Sequence, residues 1–342
     1  MTPLRARQFR GAGEGPHLLV TAGVHGDETT PMAAVRRLIE RFDSGEAETA
    51  LSRGTLTLVP VVNEAAYRAG ARCAREDGLD LARVCPGRPR GTVTERAAHH
   101  LSAMIREADL FVDLHSGGSH YRIDPLAGYM LVPDEAVLAE QRTLARDFGL
   151  PLIWGTSAAL EGRSLSVARD AKVPAIYVEY LGTTALCDAG IEACVRGVLR
   201  ILAAREMLVD GAPWRAALDS ALVVEDPRPQ SGHLQVCHPA PCDGFFEARV
   251  ELGEPVEAGA RLGEVMDLCG AGRCEIQAEI SGRVIMLRST PQVRAGESLG
   301  VVMEDPSRET SAASAASAAP AIPPARPAGA RGANRETRGK GP

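Results

Sequence analysis

The sequence predicts an α/β layered domain with a largely parallel or mixed central sheet, followed by a small all-β module. Two observations carry this. Residues 16 to 205 alternate short apolar runs with helix-like segments, the pattern of strands joined by crossover helices. After Trp214 the texture changes to short, valine-rich runs broken by glycine turns. A chain of 342 residues, 45% hydrophobic and 24% charged, is an ordinary globular composition with room for two domains.

Taken in order, "HLLVTAG" reads as a strand closing on a glycine, and "TPMAAVRRLIERF" as an amphipathic helix. "TLTLVPVVN" is a second strand and "TVTERAAHHLSAMI" a second helix. "DLFVDLHSGG" is a strand leaving into glycines, and "YMLVP" is a short strand. "VLAEQRTLARDFG" is a helix ending at a glycine, "PAIYVEYLG" a strand, and "IEACVRGVLRILAAREM" a long closing helix. The β module comprises "GFFEARVELGEPVEAGARLGEVMD" and "CEIQAEISGRVIMLRSTPQVRAGESLGVVM", in which "LGEPVEAGARLGEV" is weakly echoed by "TPQVRAGESLGVV". From Pro306 the sequence reduces to Ala, Pro, Ser, Gly and Arg, which cannot bury enough apolar surface to offset the entropy of ordering. The expected organisation is therefore 1–214, 215–305, and a disordered tail over 306–342.

Composition excludes several classes of function. No run approaches the roughly 18 apolar residues of a membrane span, and the start "MTPLRARQFRGAGEG" lacks the apolar core of a secretion signal. Eight cysteines scattered over a long chain do not make a disulfide framework, so a cytoplasmic protein is expected. Net charge is −6, but the tail carries +4, leaving −10 on the rest. An acidic body argues against a nucleic-acid surface. The pairs Cys237/Cys242 and Cys269/Cys274 lack the flanks of a zinc knuckle and read as ordinary thiols.

His25, Asn63, His115 and Glu179 all fall in or at the end of an expected strand, and ligands in such folds gather at the carboxyl ends of strands. In "VHGDE", His25 and Glu28 are either a metal clamp or a polar loop in which Asp27 or Thr29 caps the next helix. In "FVDLHSGG", His115 shares a strand face with Asp113, a carboxylate able to orient a ligand imidazole. Glu179 sits within an apolar strand, where an ionised carboxylate is costly unless paired or placed at a site. The arginine-rich segment after Asn63 offers Arg72, Arg75 and Arg83 for clamping a carboxylate or an oxyanion.

The ordered set "HGDE", "GAR…DGLDLARVCPG", "DLHSGG" and "VEYLG" resembles the succinylglutamate desuccinylase/aspartoacylase family of the zinc-carboxypeptidase superfamily, from about Gly15 to Leu208. The resemblance implies a zinc-carboxypeptidase-like α/β/α domain with one zinc ion held by His25, Glu28 and His115. It implies that Glu179 is general base and acid, that Arg72 polarises the scissile carbonyl with Arg75 a competitor, and that Arg83 holds a substrate carboxylate. Ala82 stands where the family's "DLNR" has asparagine, removing one donor from that clamp. The β module resembles the barrel-sandwich modules of biotinyl and lipoyl carriers, but those need a lysine, and the chain has only Lys172 and Lys340. The expected function is zinc-dependent hydrolysis of a small N-acyl amino acid, with no nucleic-acid or membrane partner and compatible with a homo-oligomer. The alternatives are a zinc carboxypeptidase acting on peptides and a metal-binding protein without catalysis.

Overall fold

An eight-stranded mixed sheet carries the candidate site. The structure is a computed structural model and describes residues 4–45, 49–182, 184–215, 220–229, 231–234, 237–270 and 272–304. In chain order the first part runs β1 (Arg7–Arg10), β2 (Gly13–Ala22), α1 (Thr29–Ser44), β3 (Arg53–Val59), α2 (Glu64–Ala69), α3 (Val93–Arg106), β4 (Leu110–His115) and β5 (Tyr121–Ile123). It continues with β6 (Leu126–Leu131), α4 (Glu135–Phe148), β7 (Leu152–Ser157), α5 (Ser164–Ala171), β8 (Ala175–Glu179), α6 (Asp188–Ala204) and β9 (Leu222–Glu225).

The sheet order is β1-β3-β2-β4-β8-β6-β7-β9. Strands β3, β2, β4 and β8 are parallel; β6 reverses against β8, and β7 and β9 follow β6. Every residue of β4 is buried, which is why it reads as an apolar run with no alternation. Helices α1 and α4 pack on α6, while α3 packs on α5. The sheet and helices share one core containing Leu18, Val20, Leu58, Phe111, Val112 and Ile176.

Helix starts follow local chemistry at Asn63, Asp134 and the Thr92/Glu95 capping box. Helix α1 departs from the sequence expectation. Glu28 occupies its N-cap with no side-chain cap bond, so neither Asp27 nor Thr29 caps it. The Asp27 carboxylate is instead engaged by Ser119, accepting from its N–H at 3.0 Å and its hydroxyl at 2.9 Å.

The remaining strands are β10 (Gly244–Ala248), β11 (Pro255–Val256), β12 (Arg261–Met266), β13 (Cys274–Gln277), β14 (Gly282–Arg288), β15 (Gln292–Val293) and β16 (Gly300–Met303). They form two small sheets, β13-β12-β10-β15 and β11-β14-β16, around Phe246, Leu262, Val265 and Leu299. Strand β5 joins the second of these, pairing with β14 from Tyr121↔Arg288 to Ile123↔Met286. A further cluster packs Ile123, Leu126, Leu152 and Trp154 against Ile285, Met286, Val301 and Met303. No helix among the described residues is long and apolar enough to cross a membrane. The Ala/Pro/Arg-rich tail lies outside the described residues.

Candidate active site

Three adjacent parallel strands deliver the site at their carboxyl ends. The loop leaving β2 carries His25 and Glu28, β4 ends on His115, and β8 ends on Glu179, directly opposite His115 in register. Glu28 lies between the histidines: its Oε1 is 2.7 Å from His25 Nδ1 and its Oε2 is 3.0 Å from His115 Nδ1. Ligand atoms of the three residues lie within 4.8 Å of one another, and all three are at least nine-tenths buried.

The far side of each imidazole is held by a carboxylate. His25 Nε2 is 3.1 Å from Asp80 Oδ1, and His115 Nε2 is 3.2 Å from Asp113 Oδ2. Asp113 is fully buried and also accepts from the Thr21 and Ser164 hydroxyls. Burial opposes ionisation of Glu28, but the two imidazoles outweigh it and hold its carboxyl well below the usual range. Burial likewise opposes charge on His115, and Asp113 with Glu28 overcomes it, raising the imidazole well above its ordinary value.

This donor set fits a resident metal ion. Two imidazoles and one carboxylate are the protein ligands of several catalytic zinc sites. Each imidazole presents Nδ1 inward while its other nitrogen meets a carboxylate, the outer support that fixes ring orientation in metal centres.

Beside this group opens a cavity of ≈ 620 Å³, counted out to its mouth, with His25, His115, Glu179, Arg72 and Arg83 in its wall. Glu179 has one carboxylate oxygen, Oε2, buried without a partner. Burial, aided by the Glu28 charge and opposed by His115, pushes its carboxyl up to about 8. Arg72 is fixed by Asp80, with Nη2 at 3.0 Å and Nε at 3.2 Å from Oδ2, and its Nη1 lies 3.9 Å from Glu28 Oε1. Arg75 is exposed and is not part of the cavity wall; the buried Ala74 beside it puts the next side chain on the outside. Asn63 caps α2 and does not line the cavity either. Ala82 does line it, so the position where asparagine was expected faces the site.

Four contributors escaped the sequence reading. Asp80 braces His25 and Arg72 together. Arg163, at the start of α5, reaches the cavity with Nε buried and unpartnered, its guanidinium lowered to about 10 by burial and by Arg83. Gly232 and Leu234 close part of the wall from beyond β9. The first of the glycines that end "DLFVDLHSGG" serves backbone packing. A Cβ on Gly117 would lie 2.2 Å from the Tyr121 carbonyl oxygen, so this glycine lets backbone approach backbone, not ligand.

The fold and this geometry define an α/β protein with a buried His–Glu–His group, able to hold a metal ion, at the carboxyl edge of its sheet. The chain belongs to the succinylglutamate desuccinylase/aspartoacylase family: residues 14–205 match the family's catalytic domain. It is 29% identical over 298 residues to the N-alpha-acetyl-L-2,4-diaminobutyric acid deacetylase of Halomonas elongata, covering 85% of this chain and 83% of that protein. Among solved structures it is similar to the product-bound ectoine utilization protein EutE (DoeB) of Ruegeria pomeroyi, with TM-score 0.76, 27% identity and 87% of each chain covered. It is also similar to a succinylglutamate desuccinylase/aspartoacylase of Rhodobacter sphaeroides, with TM-score 0.75 and 27% identity over 88% of this chain and 89% of that one.

Proposed function

We propose that this protein is a zinc-dependent amidohydrolase that removes the acyl group from a small N-acyl amino acid. The observation that carries the reading is Glu179, a carboxylate with an unpartnered buried oxygen, opposite the ligand His115 and lining the same cavity. A carboxyl raised toward neutrality is suited to taking and returning a proton near physiological pH. His25, Glu28 and His115 would hold the zinc ion, which when bound would polarise the amide carbonyl and acidify a water. Glu179 then takes the proton from the attacking water and returns it to the leaving nitrogen. Arg72, kept rigid by Asp80, donates to the carbonyl oxygen as negative charge grows there.

Arg83 and Arg163 hold the substrate carboxylate. Both line the cavity, and the pKa of each is lowered by burial, a condition that a bound anion would relieve. With no asparagine at Ala82, Arg163 supplies donor capacity that the neighbouring position lacks. The cover given by Gly232 and Leu234 favours a small substrate over a peptide in an open groove. The names of the relatives, a deacetylase and a desuccinylase, support the same class of reaction. In this reading the hydrolase domain, expected over 1–214, extends past Trp214 to take in β9, and the two small sheets of the rest of 215–305 are a barrel-sandwich accessory domain.

The test is a panel of N-formyl, N-acetyl and N-succinyl amino acids assayed with zinc and with chelator. Zinc-dependent release of the free amino acid by the wild type, falling at least about a hundredfold in Glu179→Gln with zinc still bound, is expected. Turnover that survives complete removal of metal would overturn the reading.

A further inference from the structure

Tyr177 is a cavity wall that neither the metal group nor the arginines account for. It lies two residues before Glu179 on β8, so strand alternation puts both side chains on one face, with their backbones about 7 Å apart. Both line the cavity. Across the antiparallel β6–β8 ladder Tyr177 faces Gly128, and a Cβ there would lie 2.2 Å from ring atoms Cε1 and Cζ and 2.5 Å from Oη. The ring thus fills the space that the missing side chain leaves and is fixed against backbone. Its hydroxyl is buried with no partner, so the aromatic ring, not a hydrogen bond of Oη, makes the wall. Met130, two residues beyond Gly128, and Thr156, paired with Met130 on β7, extend the same face, and both line the cavity. Leu160, Leu165 and Leu234 are the other bulky uncharged residues of the lining.

We infer that Tyr177 determines specificity: its ring ends the uncharged part of the cavity and admits only a short, uncharged group next to the reacting amide. This rests on the deacylase reading above. The group is either the acyl chain or the amino-acid side chain, since each adjoins the scissile bond. A pocket wall that meets or misses a methylene changes kcat/KM by roughly ten- to two-hundredfold.

The experiment measures kcat/KM of zinc-loaded wild type, Tyr177→Phe and Tyr177→Val on two series. One lengthens the acyl group from formyl and acetyl to butyryl and hexanoyl on a single amino acid. The other keeps the acetyl group and lengthens an unbranched side chain from one carbon to four. The ratio of long to short substrate within one preparation is independent of the fraction folded, so a partly unfolded variant still reports. Tyr177→Val is expected to raise that ratio at least about tenfold in one series, while Tyr177→Phe keeps it within about threefold of wild type. Ratios unmoved by Tyr177→Val in both series would overturn the inference while leaving the reaction in place. A wild type that cleaves only N-succinyl substrates would also overturn the inference, and one that cleaves neither these series nor any member of the panel above would instead defeat the deacylase reading.

Discussion

Glu179 is a desolvated carboxylate with one oxygen unpartnered, and that makes it measurable without substrate. Burial holds its proton to about pH 8, against 4.5 for an exposed glutamate. Between those values the unfolded chain has released a proton that the folded, metal-free protein retains, so stability falls as pH rises through that window. Glu179→Gln carries no such proton. Thermal melts of chelator-treated protein should therefore show the variant gaining on wild type from pH 5 to pH 8, and parallel curves would mean that the carboxylate is not desolvated. The proposed ligands make a separate prediction. Purified protein should hold about one zinc per chain, and His25→Ala and His115→Ala should each lose most of it, measured by elemental analysis. Of this site, His115 and Glu179 stand out in the sequence because each is a chemically demanding residue in or at the end of an apolar run, whereas His25 and Glu28 leave a clamp and a helix cap open until the ordered motifs are read as a family resemblance. Asp80 and Arg163 do not stand out, because a polar residue in a polar loop carries no mark of the imidazole or cavity it will face. Arg75 misled for the same reason: three arginines within twelve positions look alike until the turn around Ala74 is folded.

At the scale of elements, the loops leaving β4 and β8 are locked to each other through backbone. Gly117 N–H donates to the Leu181 carbonyl, Tyr121 N–H to the Gly117 carbonyl and Leu181 N–H to the Ile123 carbonyl. A Cβ on Gly182 would lie 2.0 Å from the Tyr121 carbonyl oxygen. Gly182→Ala must therefore push β5 away from the end of β8, where Glu179 sits. Overpacking of this kind costs about 1–3 kcal/mol, and the expected result is a lower Tm with a kcat loss larger than that destabilisation explains. An unchanged kcat would show that the loop contact does not position the proposed base. The central strands were legible as unbroken apolar runs, but β5 was not. Three residues, "YRI", become a strand only because β14, more than 150 positions later, supplies their partners. The missing cap on α1 has a similar origin: Glu28 and Asp27 have the right chemistry for a helix start, and both are engaged instead by residues from the β4 end.

For the whole molecule, the change of texture at Trp214 does not coincide with the edge of the large sheet. Strand β9 lies past that point and pairs with β7, and Tyr129 and Arg142 both bond its Glu225. The cluster of Ile123, Leu126, Leu152 and Trp154, each at most 4% exposed, is covered by side chains of β14 and β16. Uncovering four such side chains forfeits about 6–12 kcal/mol at roughly 1.5–3 kcal/mol each. That is comparable with the roughly 5–15 kcal/mol by which a whole domain is stable. Two truncations should consequently behave in opposite ways. Ending the chain after Asp305 removes only Ala/Pro/Arg-rich sequence and should leave kcat/KM within about twofold. Ending it after Trp214 keeps every proposed ligand and catalytic residue, yet removes β9, Leu234 and the cover over Trp154. That fragment should fail to melt cooperatively by calorimetry and should not retain zinc through gel filtration. A 1–214 fragment that is monomeric, cooperative and metal-loaded would mean that the shared core contributes far less than its burial implies.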